Sequence, residues 1–136
     1  MATPEQKTQL AIIEWLSLKN PLAHKLTIRI GNEGKRTVGG HLLAIRMGLH
    51  VGASDLFIAL PNIKYSGCFI EIKPDGWKGP SGKKMKQHVD RQLEFIELMK
   101  SQGYAGKLIV GVDEGVSFIS SYLDIKLKDK QIEKEL

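Results

Sequence analysis

The stretch Gly67-Cys68-Phe69-Ile70-Glu71-Ile72-Lys73 decides how this chain is read. Its apolar residues mark a strand that ends on an acid and a lysine two positions apart. Residues at that spacing share one face, so Glu71 and Lys73 lie together while Ile72 points the other way, into the core. Upstream, Asp55-Leu56-Phe57-Ile58-Ala59-Leu60 forms a second strand pattern. Pro61-Asn62 starts the turn between them, and the short linker favours an antiparallel hairpin. Paired residue numbers in such a hairpin have a nearly constant sum. With the turn centred near Ile63, Asp55 falls across from Glu71; a slip of one residue would separate the two acids.

Two carboxylates at close range repel, and a divalent cation relieves that repulsion. Oxygen donors with retained water suit Mg²⁺, with Mn²⁺ as a substitute. A metal held there polarises a phosphodiester and lowers the pKa of a bound water. Lys73 is placed to orient that water or to counter developing negative charge. The backbone carbonyl of Ile72 is a further candidate ligand. The competing reading is a salt-bridge patch on a strand, because a D…ExK pattern is short and common.

Two helices add polar groups. Pro4-Glu5 opens the first, where an acid is favourable, and Glu5 is a candidate metal contact. Glu14 is a weaker alternative, on the expected exposed side. Leu10, Ile13 and Leu16, widened by Ile12 and Trp15, read as the buried stripe, which stops at Asn20-Pro21. Met85, Val89, Gln92 or Leu93, Ile96 and Met99 recur at helical spacing up to about Gly103. Gln92 offers an amide for Lys73, a metal-bound water or a phosphate; otherwise it is a boundary residue of a solvated helix.

Elsewhere, Leu26, Ile28 and Ile30 alternate as a strand. Gly31 to Gly40 reads as a polar loop, and a short helix is expected from about His41 to Leu49. Leu108 to Val112 reads as a strand, and Val116 to Ile119 as a short one after an Asp113-Glu114-Gly115 turn. A charged terminal helix is expected from about residue 121. The order α-β-α-β-β-α-β gives one α/β domain over residues 1–136, a mixed sheet flanked by helices.

A chain of 136 residues suits one domain. Its single cysteine, Cys68, excludes an internal disulfide or a cysteine-built zinc site. No apolar run reaches the roughly 18 residues of a membrane helix, and residues Met1 to Gln6 carry no secretory pattern. The default expectation is an intracellular protein that does not engage a membrane. The formal charge of +5 is compatible with a nucleic-acid partner. Basic residues concentrate in Gly76 to Lys86, GWKGPSGKKMK, where Lys78, Lys83, Lys84 and Lys86 would steer and grip DNA from a loop leaving the active strand. Trp77 would stack on a base or cap the core. Arg29, Lys35 and Arg36 are further candidates for backbone phosphates. His24, His41, His50 and His88 lack zinc spacing and read as packing residues, although His88 sits one turn before Gln92.

The ordered set of motifs resembles the VRR-NUC family of the PD-(D/E)XK nuclease superfamily. The matching segments are Glu5, Asn32-Glu33-Gly34, Gly48 through Leu56, Phe69-Ile70-Glu71-Ile72-Lys73, Gln92, Phe95, Gly103 and the Leu108 strand. The family's usual proline before the aspartate is absent; Gly52-Ala53-Ser54 precedes Asp55. The resemblance implies a restriction-endonuclease-like fold and divalent-metal hydrolysis of DNA. It assigns Asp55 and Glu71 as metal ligands, Lys73 as the catalytic lysine, Gln92 as support and Glu5 as the helix acid. It also implies a homodimer acting on four-way junctions or flaps, in the cytoplasm or nucleoid of a bacterial or phage-infected cell. The alternative from composition alone is a basic DNA-binding module without chemistry.

Overall fold

The computed structural model describes residues 1–30 and 37–128. Helix α1 (Pro4–Lys19) opens on a capping box: the Thr3 side chain accepts from the Gln6 N–H, and Gln6 reaches back to the Thr3 N–H. Its buried residues are Thr8, Ile12 and Leu16. The stripe is therefore rotated from the expected one, and Leu10 is exposed. Thr8 enters the interior because its hydroxyl donates to the Pro4 carbonyl within the helix. Glu5, three residues before Thr8, extends that same face.

Asn20 ends α1 and caps a short helix, α2 (Pro21–Lys25), where only a stop was expected. Strand β1 (Thr27–Arg29) follows. Helix α3 (Val38–Arg46) begins earlier than expected, because Thr37 caps it through the Gly40 N–H. No residue of α3 is buried.

Strands β2 (Leu56–Ile58) and β3 (Cys68–Lys73) pair antiparallel, with Leu56 facing Ile70, Phe57 facing Phe69 and Ile58 facing Cys68. That is the expected register. Helix α4 (Gly82–Ser101) then crosses to β4 (Ala105–Val110), which runs parallel to β3. The sheet order is β1-β2-β3-β4, antiparallel on one side of β3 and parallel on the other. This is the expected α/β, restriction-endonuclease-like mixed sheet flanked by helices.

The end of the chain departs from expectation. Residues Gly111–Leu123 form helix α5, not a turn and a strand. Its buried positions Gly111, Gly115, Ile119 and Tyr122 keep helical spacing. Asp113 and Glu114 sit in its first turn, where acids complement the helix dipole. Residues 124–128 are not helical, and the remainder of the expected terminal helix lies outside the described residues.

One apolar core joins α1 and α5 to the sheet. Ile12 and Leu16 meet Leu56, Ile58, Ile70, Ile72, Ile109 and Ile119. Gly115 lies against Ile12 and Ile109. On the other face, Phe69 meets Phe95 of α4 edge to face, with ring centroids 5.3 Å apart. Cys68 is fully buried, and burial pushes its thiol up to about 12. Among the described residues, no helix is long and apolar enough to cross a membrane.

Candidate active site

Three elements bring three acids together. Glu5 rides on the first turn of α1, Asp55 directly precedes β2, and Glu71 lies inside β3. Each contributes one carboxylate oxygen, and these oxygens lie within 4.8 Å of one another. Among the described residues, this is the one group of three or more His, Cys, Asp or Glu side chains placed to hold a metal ion. The hairpin register brings Asp55 level with Glu71, and the rotated face of α1 brings Glu5 to both. Glu14 is exposed, as expected.

Asp55 is anchored on β3: its Oδ2 accepts from the Ile72 N–H at 2.7 Å. Ile72 thus reaches the site through its amide, while its side chain lies in the apolar core. Glu71 is 1% exposed, and its Oε1 is buried without a hydrogen-bond partner. Burial, then a hydrogen bond and like charge from Asp55, raise its pKa to about 10; Lys73 opposes the rise. Glu5 is also raised, first by burial and then by Asp55, again against Lys73. Burial and like charge therefore favour a proton on Glu71 when no cation is beside it.

Lys73 is buried, with its Nζ 5.5 Å from the centroid of the Trp77 ring. Trp77 is half-buried above this ammonium, and its backbone N–H donates to the Pro74 carbonyl. Gln92 is buried on α4 and its Oε1 has no partner. Its Nε2 lies 3.2 Å from His88 Nε2. His88, expected to pack, instead reaches this buried amide; burial first, then Lys73 and Arg91, lower its pKa against Asp55. The available signal was its spacing of four from Gln92. His50, by contrast, packs on Phe95, with centroids 5.2 Å apart.

The basic candidates lie farther out. Lys78 is exposed in the turn after β3. Lys83, Lys84 and Lys86 are on the opening turns of α4, not in a loop, because the helix starts at Gly82. No acid occupies that first turn, and Ser81 makes no side-chain cap. Lys86 pairs with Asp90 at 3.2 Å, an exposed contact of little energetic weight. Arg29 sits on edge strand β1 opposite Leu56, one residue from Asp55. Lys35, Arg36 and the Asn32-Glu33-Gly34 motif lie outside the described residues.

A helix-flanked mixed sheet thus carries one buried and two half-buried acids beside a buried lysine. A solved structure described as a VRR_NUC domain protein has this fold: it matches with a TM-score of 0.73 over 95% of each chain, at 23% sequence identity. No protein-family model matches the sequence. None of the curated proteins matches it either.

Proposed function

We propose that this chain is a single-domain VRR-NUC nuclease that hydrolyses DNA phosphodiester bonds with a divalent metal. The observation that carries the reading is the buried, unpartnered Oε1 of Glu71, lying in a cluster with Asp55 and Glu5 beside Lys73. A lone buried carboxylate oxygen is costly unless a donor or cation meets it. The donors are hard oxygens, which fit Mg²⁺ or Mn²⁺ and disfavour softer metals.

In this reading Asp55 and Glu71 hold the metal, with the Ile72 carbonyl as a further ligand and Glu5 as the third acid. The bound metal supplies Lewis-acid polarisation of a phosphate and acidification of water. Lys73 brings a positive charge to the developing negative charge of the phosphate. The Ile72 N–H holds Asp55 in place. Gln92 offers an acceptor to a water or ammonium proton. Arg29, Lys35, Arg36, Trp77, Lys78, Lys83, Lys84 and Lys86 would engage DNA, with affinity falling steeply as salt rises. Junctions and flaps are the proposed substrates, cut by a homodimer whose paired sites make paired incisions.

Asp55→Ala and Glu71→Ala, assayed with Mg²⁺ on nicked, flapped and four-way DNA, test this. Each should lower cleavage by at least ~10³-fold while far-ultraviolet circular dichroism stays native. A wild-type protein that binds these substrates but cuts none with Mg²⁺ or Mn²⁺ would instead be a non-catalytic DNA-binding module.

A further inference from the structure

Helix α4 lays Val89, Gln92, Phe95 and Ile96 against the molecule. Because α4 connects two parallel strands, it runs opposite to β3. Phe95 covers Phe69, and Phe69, Glu71 and Lys73 share one face of β3. One helical turn back from Phe95 therefore brings Gln92 toward the level of Glu71. A further turn brings His88 toward Lys73, in keeping with the charge coupling between them.

Gln92 is nine-tenths buried, and only one end of its amide has a partner. Its Nε2 has protons to give and no lone pair to accept with, so at 3.2 Å the His88 Nε2 must be the acceptor. That requires a neutral ring protonated on Nδ1. The surroundings favour neutrality: burial, Lys73 and Arg91 depress the imidazole pKa, and only Asp55 opposes them. With Nε2 so engaged, the amide cannot rotate, and Oε1 stays inward as an acceptor.

We propose that His88 is a positioning residue that holds the Gln92 amide by accepting its Nε2 proton, so that Oε1 is presented to a proton donor in the acid–lysine site. The functional part of this rests on the nuclease reading; the hydrogen-bond geometry does not. His88 has exposed surface beside the site, so its replacement spares the packed interior. A glutamine at this position carries an acceptor of similar reach, whereas a leucine carries none.

The test uses the full chain with His88→Leu, His88→Gln, Gln92→Ala and the His88→Leu/Gln92→Ala pair. Long-range proton–nitrogen spectra of the metal-free protein should show His88 with a bare Nε2 and a protonated Nδ1. The Gln92 side-chain amide protons should exchange slowly in wild type and in His88→Gln, and rapidly in His88→Leu. With Mg²⁺ and four-way DNA, His88→Leu should lower kcat about tenfold and leave KM unchanged. His88→Gln should restore most of that loss, and His88→Leu should add nothing in the Gln92→Ala background. A proton on Nε2, Gln92 resonances indifferent to His88→Leu, or a loss that persists in the Gln92→Ala background would overturn the proposal. Wild-type protein that cuts no DNA but shows the expected ring tautomer and amide protection overturns the nuclease reading and leaves the holding of Gln92 by His88 upheld.

Discussion

Ile72 and Glu71 are neighbours on β3 and equally hidden, at 0% and 1% exposure. They face opposite sides of the sheet and meet opposite chemistries. Ile72 joins a dry cluster of Ile12, Leu16, Ile70, Ile109 and Ile119. Glu71 meets Asp55, Glu5 and Lys73 and has an oxygen with no hydrogen-bond partner. One face lowers free energy by excluding water. The other stores unfavourable electrostatics that only a proton or a cation relieves. A strand that wins stability on one side can carry such a liability on the other. That division teaches where the molecule is built to hold and where it is built to react.

The contrast can be broken most strongly from the apolar side. Ile72→Ala should lower stability by about 3–4 kcal/mol, read as a reduced midpoint in urea unfolding. A loss below about 1 kcal/mol would mean that the core relaxes around the gap. From the polar side, Mg²⁺ or Mn²⁺ at a hundredfold excess over its Kd should stabilise wild type by about 2.7 kcal/mol. Asp55→Ala and Glu71→Ala should show no such gain in thermal melts. A gain shared equally by all three proteins would place the ion elsewhere.

The smallest effect sharpens the comparison through pH. A carboxyl raised to about 10 when folded, against an ordinary 4.5, prefers its protonated form in the native protein. Its contribution to metal-free stability is complete below pH 4.5 and is lost as pH rises toward 10. Glu71→Gln mimics the protonated group and removes this slope. The metal-free variant should therefore match wild type in acid and exceed it by about 2 kcal/mol near pH 6. Denaturant melts at several pH values give the difference; parallel curves would mean that Glu71 is ionised in the native protein.

The hairpin register was legible because strand pairing obeys a constant sum, and Asp55, Glu71 and Lys73 needed nothing else to be located. Long-range packing was less legible. Ile12 and Ile13 are equally apolar, and only the docked sheet decides which of them faces inward. Thr8 looked polar, yet an intrahelical hydrogen bond lets it be buried. Gly115 looked like a turn signal because local chemistry cannot distinguish a chain reversal from a close helix approach. The spacing of His88 to Gln92 means little until α4 is laid over β3. The glycines and proline ahead of Lys83, Lys84 and Lys86 signal a loop, although the helix starts at Gly82.

Gly115 reaches further than its own neighbourhood. A methyl group there would come within 2.7 Å of Ile12 Cδ1 and 3.2 Å of Ile109 Cδ1. Ile12 is on the same helix as Glu5, so the bare backbone at position 115 is what lets α5 close against the helix that carries the third acid.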